Sequence, residues 1–142
     1  PHLESVAGLL SDHECVVRQA ACSALGNHGE ARGQTVAAVV APVLQSSEAA
    51  SRSMACQLLG NLGEAAVPHL EAVAGLLSDR DRDVRVAACS ALGNHGEARG
   101  QTVAAVVAPV LQSSEAASRS MACQLLGKQC HTSKQSPSAS LT

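Results

Sequence analysis

Apolar residues recur along this chain in short arcs at helical spacing, separated by small and polar residues. Leu3, Val6, Ala7, Leu9 and Leu10 fall on one side of a first helix. Ser11 and Asp12 then offer side-chain oxygens suited to a turn or to the start of a second helix. Val17, Ala20, Ala21, Ala24 and Leu25 make the apolar arc of that second helix. Gly26 to Gly29 are expected to end it, because glycine accepts left-handed backbone angles. The predicted unit is a helical hairpin.

The hairpin repeats. Residues 1–60 align with residues 68–127 at an offset of 67, with 54 of the 60 positions identical. The differences are Ser5/Ala72, His13/Arg80, Glu14/Asp81, Cys15/Arg82, Val16/Asp83 and Gln19/Val86. Each block divides again, since Arg18, Arg52, Arg85 and Arg119 are spaced 34, 33 and 34 apart, and Gly26, Gly60, Gly93 and Gly127 follow them. A period of this size is the mark of a stacked repeat protein. Four units are predicted, at about 1–33, 34–67, 68–100 and 101–130, followed by a polar tail over 131–142 that is read as disordered. Gly8, Pro42, Gly75 and Pro109 occupy one equivalent place in the four first helices, so a bend is expected in each. The chain opens on Pro1 inside a repeat, with no initiator Met or signal peptide, and is read as part of a longer protein. Neither end carries a polar capping hairpin, and an uncapped stack exposes apolar surface, which leaves end-to-end self-association open.

Composition sharpens the fold class. With no Phe, Tyr or Trp, the core must be built from Ala, Val and Leu. Closely packed helices suit such side chains better than a β-sandwich, because Ala favours helices and is depleted in strands. The 10 basic and 12 acidic residues are scattered, so there is no basic face for phosphates and no aromatic ring to stack a base. Nucleic acid is not expected as a ligand. The longest apolar run, Val36 to Leu44, contains Pro42 and falls well short of the roughly 18 to 20 residues of a membrane span. No membrane partner is expected either.

The second-helix run Val17-Arg18-Gln19-Ala20-Ala21-Cys22-Ser23-Ala24-Leu25-Gly26 resembles the HEAT repeat family, particularly the branch named after phycobilisome lyases. Val84 to Gly93 resembles it equally, whereas Ser51 to Gly60 keeps the Arg, the small residues and the Leu-Gly ending but loses the Val. The resemblance implies an all-α fold, an α-solenoid of about four HEAT-like helical hairpins with bent first helices. It also implies a non-catalytic scaffold that holds an unidentified protein partner. Second helices line the concave side of such solenoids. Gln19 and Ser23, with their equivalents Ser53, Gln57, Val86, Ser90, Ser120 and Gln124, would then form a polar stripe on the inner wall and are the candidate partner-binding residues. The turn at His13 to Val16, where the two blocks differ in charge, is a second candidate. Asp12, Arg18, Arg52, Asp79, Arg85 and Arg119 would make a stabilising ladder along the stack. Since Ser46 and Ser113 replace Asp in the even units, each even Arg needs a carboxylate from a neighbour.

Three sets of residues suggest chemistry. Cys22, Cys56, Cys89 and Cys123 number four, a favoured zinc count, but they lie one per unit on rungs about 8 to 10 Å apart, beyond the reach of one tetrahedral centre or of a disulfide. They are read as small packing residues, and unpaired thiols suit a reducing compartment such as the cytoplasm. His28 and His95 lie in identical Asn-His-Gly-Glu segments, but Leu62 stands at the same place in the second unit, so they are read as occupants of a half-buried position between helices. His13-Glu14 resembles one of the iron-binding dyads of deoxyhypusine hydroxylase, yet its duplicate is Arg80-Asp81. No phosphate loop, nucleophile elbow or zinc-spaced Cys pair is present. No catalytic residue, cofactor or metal is therefore expected. The alternative to the scaffold is a fragment of a HEAT-type enzyme, either bilin lyase-like or an iron-dependent deoxyhypusine hydroxylase-like oxidoreductase.

Overall fold

A computed structural model describes residues 2–134. Among them are six α-helices, α1 (His2–Gly8), α2 (Cys15–Val40), α3 (Ala49–Asn61), α4 (Leu70–Gly75), α5 (Arg82–Val107) and α6 (Ala116–Lys134), and no strand. Each first helix changes from α to 3-10 geometry at its helix breaker. α1 and α4 stop at Gly8 and Gly75 and continue as Leu9–Ser11 and Leu76–Ser78, while α2 and α5 give way to Ala41–Gln45 and Ala108–Gln112 around Pro42 and Pro109. Proline lacks the donor that would continue the α ladder, and glycine lowers the helix's hold on its own geometry.

The junctions between units are of two kinds. The second helix of the first unit does not end at Gly26 to Gly29, as expected from its glycines. α2 runs on through them to Val40, interrupted only at Arg32, whose φ of −137° and ψ of 41° set the kink between one unit and the next. Among the described residues only Gly63 has a positive φ, at 60°. There α3 does end, and a 3-10 stretch, Gly63–His69, leads to α4. The difference lies 34 residues apart in the chain: Pro68 removes a backbone donor and restrains Val67, whereas Gln34 at the equivalent place lets helical bonding continue. Gly29 serves close approach instead, since a Cβ there would fall 2.7 Å from Leu62 Cδ2.

Leu10, Leu25, Leu44, Leu59, Leu70, Leu77, Leu92 and Leu125 are fully buried, each contributing about 1.5–3 kcal/mol. Ala21, Ala55, Ala88 and Ala122 pack in the same core and let the second helices approach. α3 lies against α5, and α5 against α6. α6 covers 131–134, which the boundary at 130 assigned to the tail, and residues 135–142 of that tail lie outside the described residues. No helix among the described residues is long and apolar enough to cross a membrane.

Candidate functional site

The turn before each second helix is built the same way four times. Asp12 Oδ1, Ser46 Oγ, Asp79 Oδ1 and Ser113 Oγ accept the backbone N–H of the residue two further on, at 2.8, 3.2, 2.8 and 3.1 Å. Such turns hold the chain extended just before the helix starts. Six residues on, the Nη1 of Arg18, Arg52, Arg85 and Arg119 donates to the backbone carbonyl of Asp12, Ser46, Asp79 and Ser113 at 2.7, 2.9, 2.7 and 2.8 Å. The spacing of six thus joins guanidinium to main chain within a unit, not to the carboxylate.

The carboxylate acts between units. Arg52 Nε and Nη2 donate to Asp79 Oδ2 and Oδ1 at 2.8 and 2.9 Å, a two-pronged clasp joining the second unit to the third. Both side chains are 8% exposed. Burial works to raise the Asp79 pKa, but the Arg52 hydrogen bonds, the Asp81 amide and the nearby positive charge outweigh it and hold the carboxyl below its ordinary value. Arg52 is pushed up chiefly by the same hydrogen bonding. At the odd-to-even junctions a serine stands where Asp79 would be, and the buried Nε of Arg18 and of Arg85 has no acceptor.

All eight stripe residues are exposed or half-buried. Four of them, Gln19, Ser23, Ser53 and Gln57, line one open groove of about 790 Å³ between α2 and α3. Sequence reasoning did not place Cys15, Cys22, Met54, Asp81 and Asp83 there, although they line it too. Cys15 and the two aspartates do belong to the positions at which the duplicate blocks differ. Val86, Ser90, Ser120 and Gln124 are not among the residues lining this groove.

The two histidines are not equivalent, which corrects their reading as a pair of half-buried residues. His95 is buried, and its Nε2 donates to the Leu59 carbonyl of the second unit at 3.0 Å. His28 is exposed. Along the cysteine ladder Cys22 is half-buried, Cys56 buried and Cys123 exposed, all three free thiols. Burial pushes the Cys56 thiol up to about 12. His13 is 89% exposed, with Asp12 and Glu14 each at 3.8 Å. Among the described residues no three His, Cys, Asp or Glu converge as a metal site.

A family model of HEAT repeats matches residues 4–76. No curated protein matches the chain. Three engineered proteins solved by the Northeast Structural Genomics Consortium have similar folds. The first superposes with a TM-score of 0.61 at 19% identity over 92% of this chain and 63% of its own. The second gives 0.58 at 20% over 91% and 37%, and the third 0.53 at 17% over 88% and 62%. The chain therefore spans less than two-thirds of the length of each.

Proposed function

We propose that this chain, which belongs to the HEAT repeat family, is a non-catalytic scaffold that holds another protein against its second helices. The observation that carries this reading is the open groove in which Gln19, Ser23, Ser53 and Gln57 converge. Its walls offer amides, hydroxyls and small apolar patches, with Arg18 on one side and Asp81 and Asp83 on another, a set suited to an extended polypeptide whose backbone needs donors and acceptors. Stacked repeats present such continuous surfaces as a consequence of their geometry. The second-helix run from Val17 to Gly26 supports, as part of this proposal, the phycobilisome lyase-type branch of the family.

The test is affinity capture with the chain and with a triple variant, Ser23→Glu, Ser53→Glu and Gln57→Glu, each checked for helicity by circular dichroism. Loss of the captured partner in a folded triple variant is the expected result. Undiminished capture would show that the partner is held elsewhere.

A further inference from the structure

The described residues contain one complete even-to-odd interface, between the second and third units, and the matching even face of the fourth unit and odd face of the first have no described unit against them. On the even side, Arg52 is 7% exposed and Cys56 and Leu59 are fully buried, but their equivalents Arg119 and Cys123 are exposed and Leu126 is half-buried. On the odd side, Val84 is fully buried and Ala87, Ala91 and His95 are at most 6% exposed. Their equivalents Val17 and Ala24 are half-buried, and Ala20 and His28 exposed. The Asp79 side chain is 8% exposed and that of Asp12 26%.

We propose that the Arg119 face of one copy binds the Asp12 face of a second copy, head to tail, in the register that the second and third units already use within the chain. Two contacts define that register. Arg119 clasps Asp12 as Arg52 clasps Asp79, where both prongs are within 2.9 Å. Gly127 lies against Ala24 as Gly60 lies against Ala91, so closely there that a Cβ on Gly60 would fall 2.9 Å from Ala91 Cα. A Cβ on Gly127 meets nothing within 4 Å, so no contact among the described residues requires a glycine there.

The differences between the blocks spare this surface. Ala72, Arg80, Arg82, Asp83 and Val86 are all exposed in the third unit, and Asp81 is turned to its own backbone, where it caps α5. Among the described residues, every residue buried in the third unit is unchanged at its equivalent in the first. The exposed cation on one face and the under-used carboxylate on the other are complementary, and such complementarity sets register and partner. Because the two faces differ, each added copy leaves both types open at the ends, and the assembly either closes into a ring or grows as a filament.

Sedimentation velocity of the full chain over a concentration series tests this. The expected result is mass rising with concentration above the 14.4 kDa of one chain. Arg119→Asp and Asp12→Arg should each weaken association about 30-fold or more. Mixing the two variants should restore it, since each mutated face meets an opposite charge on the other variant. Gly127→Leu should block association while leaving the dilute chain's thermal melt no lower than wild type, because leucine favours the α6 helix over glycine. A wild-type chain that stays monomeric up to its solubility limit would overturn the proposal, as would single variants that associate like wild type, or folded variants that fail to rescue each other.

Discussion

Asp79→Ser converts the one clasped junction into the kind found twice elsewhere in the chain, and so isolates what the carboxylate contributes. The serine can keep the turn, because Ser46 and Ser113 already make the same hydrogen bond at 3.2 and 3.1 Å. Arg52 keeps its bond to the Ser46 carbonyl at 2.9 Å. What is lost is two charge-assisted hydrogen bonds between side chains that are each 8% exposed. Removing one partner of a buried pair costs about 3–5 kcal/mol. The retained carbonyl bond puts the expected loss near the bottom of that range, about 3 kcal/mol. In a stacked array the loss falls on one interface, which joins the two halves of the chain. Urea unfolding followed by circular dichroism measures it. A loss below about 1 kcal/mol would rank the clasp with surface ion pairs and refute the reasoning. The pH dependence gives a second reading of the same group. Asp79 is held below its ordinary value of 3.8, so the folded state binds its proton less readily than the unfolded state. The clasp's contribution is therefore complete above that ordinary value and is lost as pH falls through the lower folded value. The gap between wild type and Asp79→Ser should close only in that acid range, and a gap that instead widens on acidification would contradict the assignment.

The opposite change, Ser46→Asp, offers the orphaned Nε of Arg18 an acceptor and should stabilise the chain by about 1–2 kcal/mol in the same unfolding assay. Unchanged or lower stability would mean that the odd junction cannot close on a carboxylate. His95→Ala removes a buried hydrogen bond to Leu59 and should cost about 1–3 kcal/mol, whereas His28→Ala should stay within about 0.5 kcal/mol in dilute solution. Equal effects would contradict the split between them. Iodoacetamide followed by mass spectrometry should label Cys15 and Cys123 of the dilute chain well before Cys56, whose thiol is buried and pushed up to about 12. Comparable labelling of all three would show that α3 and α5 separate readily.

The hairpin, its period and the interruption of each first helix at Gly8, Pro42, Gly75 and Pro109 were legible in the sequence because they depend on local spacing and local backbone preference; a bend was expected there, and the structure shows a change from α to 3-10 geometry. The end of the first unit was misread for a physical reason that was itself in the chain. Glycine permits a helix to stop but does not make it stop, and the deciding residue was Pro68, five residues beyond Gly63, whose counterpart is Gln34. The spacing of Asp12 and Arg18 marked both as structural, yet spacing alone cannot say whether a guanidinium meets a carboxylate or a carbonyl.

The candidate site divides along the same line. Helical periodicity put Gln19, Ser23, Ser53 and Gln57 on one face, and the groove brings those four together. Asp81 and Asp83 reach it from the next unit, a relation that no local pattern encodes. The histidines show the limit most directly. His28 and His95 sit in the same local sequence, with identical residues from Val17 to Gln45 and from Val84 to Gln112 apart from Gln19/Val86, yet one is exposed and the other buried. Nothing near them in the chain can account for that difference. What differs is the neighbouring unit, whose Leu59 carbonyl receives His95, whereas no described residue stands in that place against His28. In a stacked array the environment of a residue belongs to the pair of neighbouring units. A site on such a chain is therefore read by asking which unit lies against it, and the first and last units keep the residues of an interface whose other half is not supplied from within the described residues.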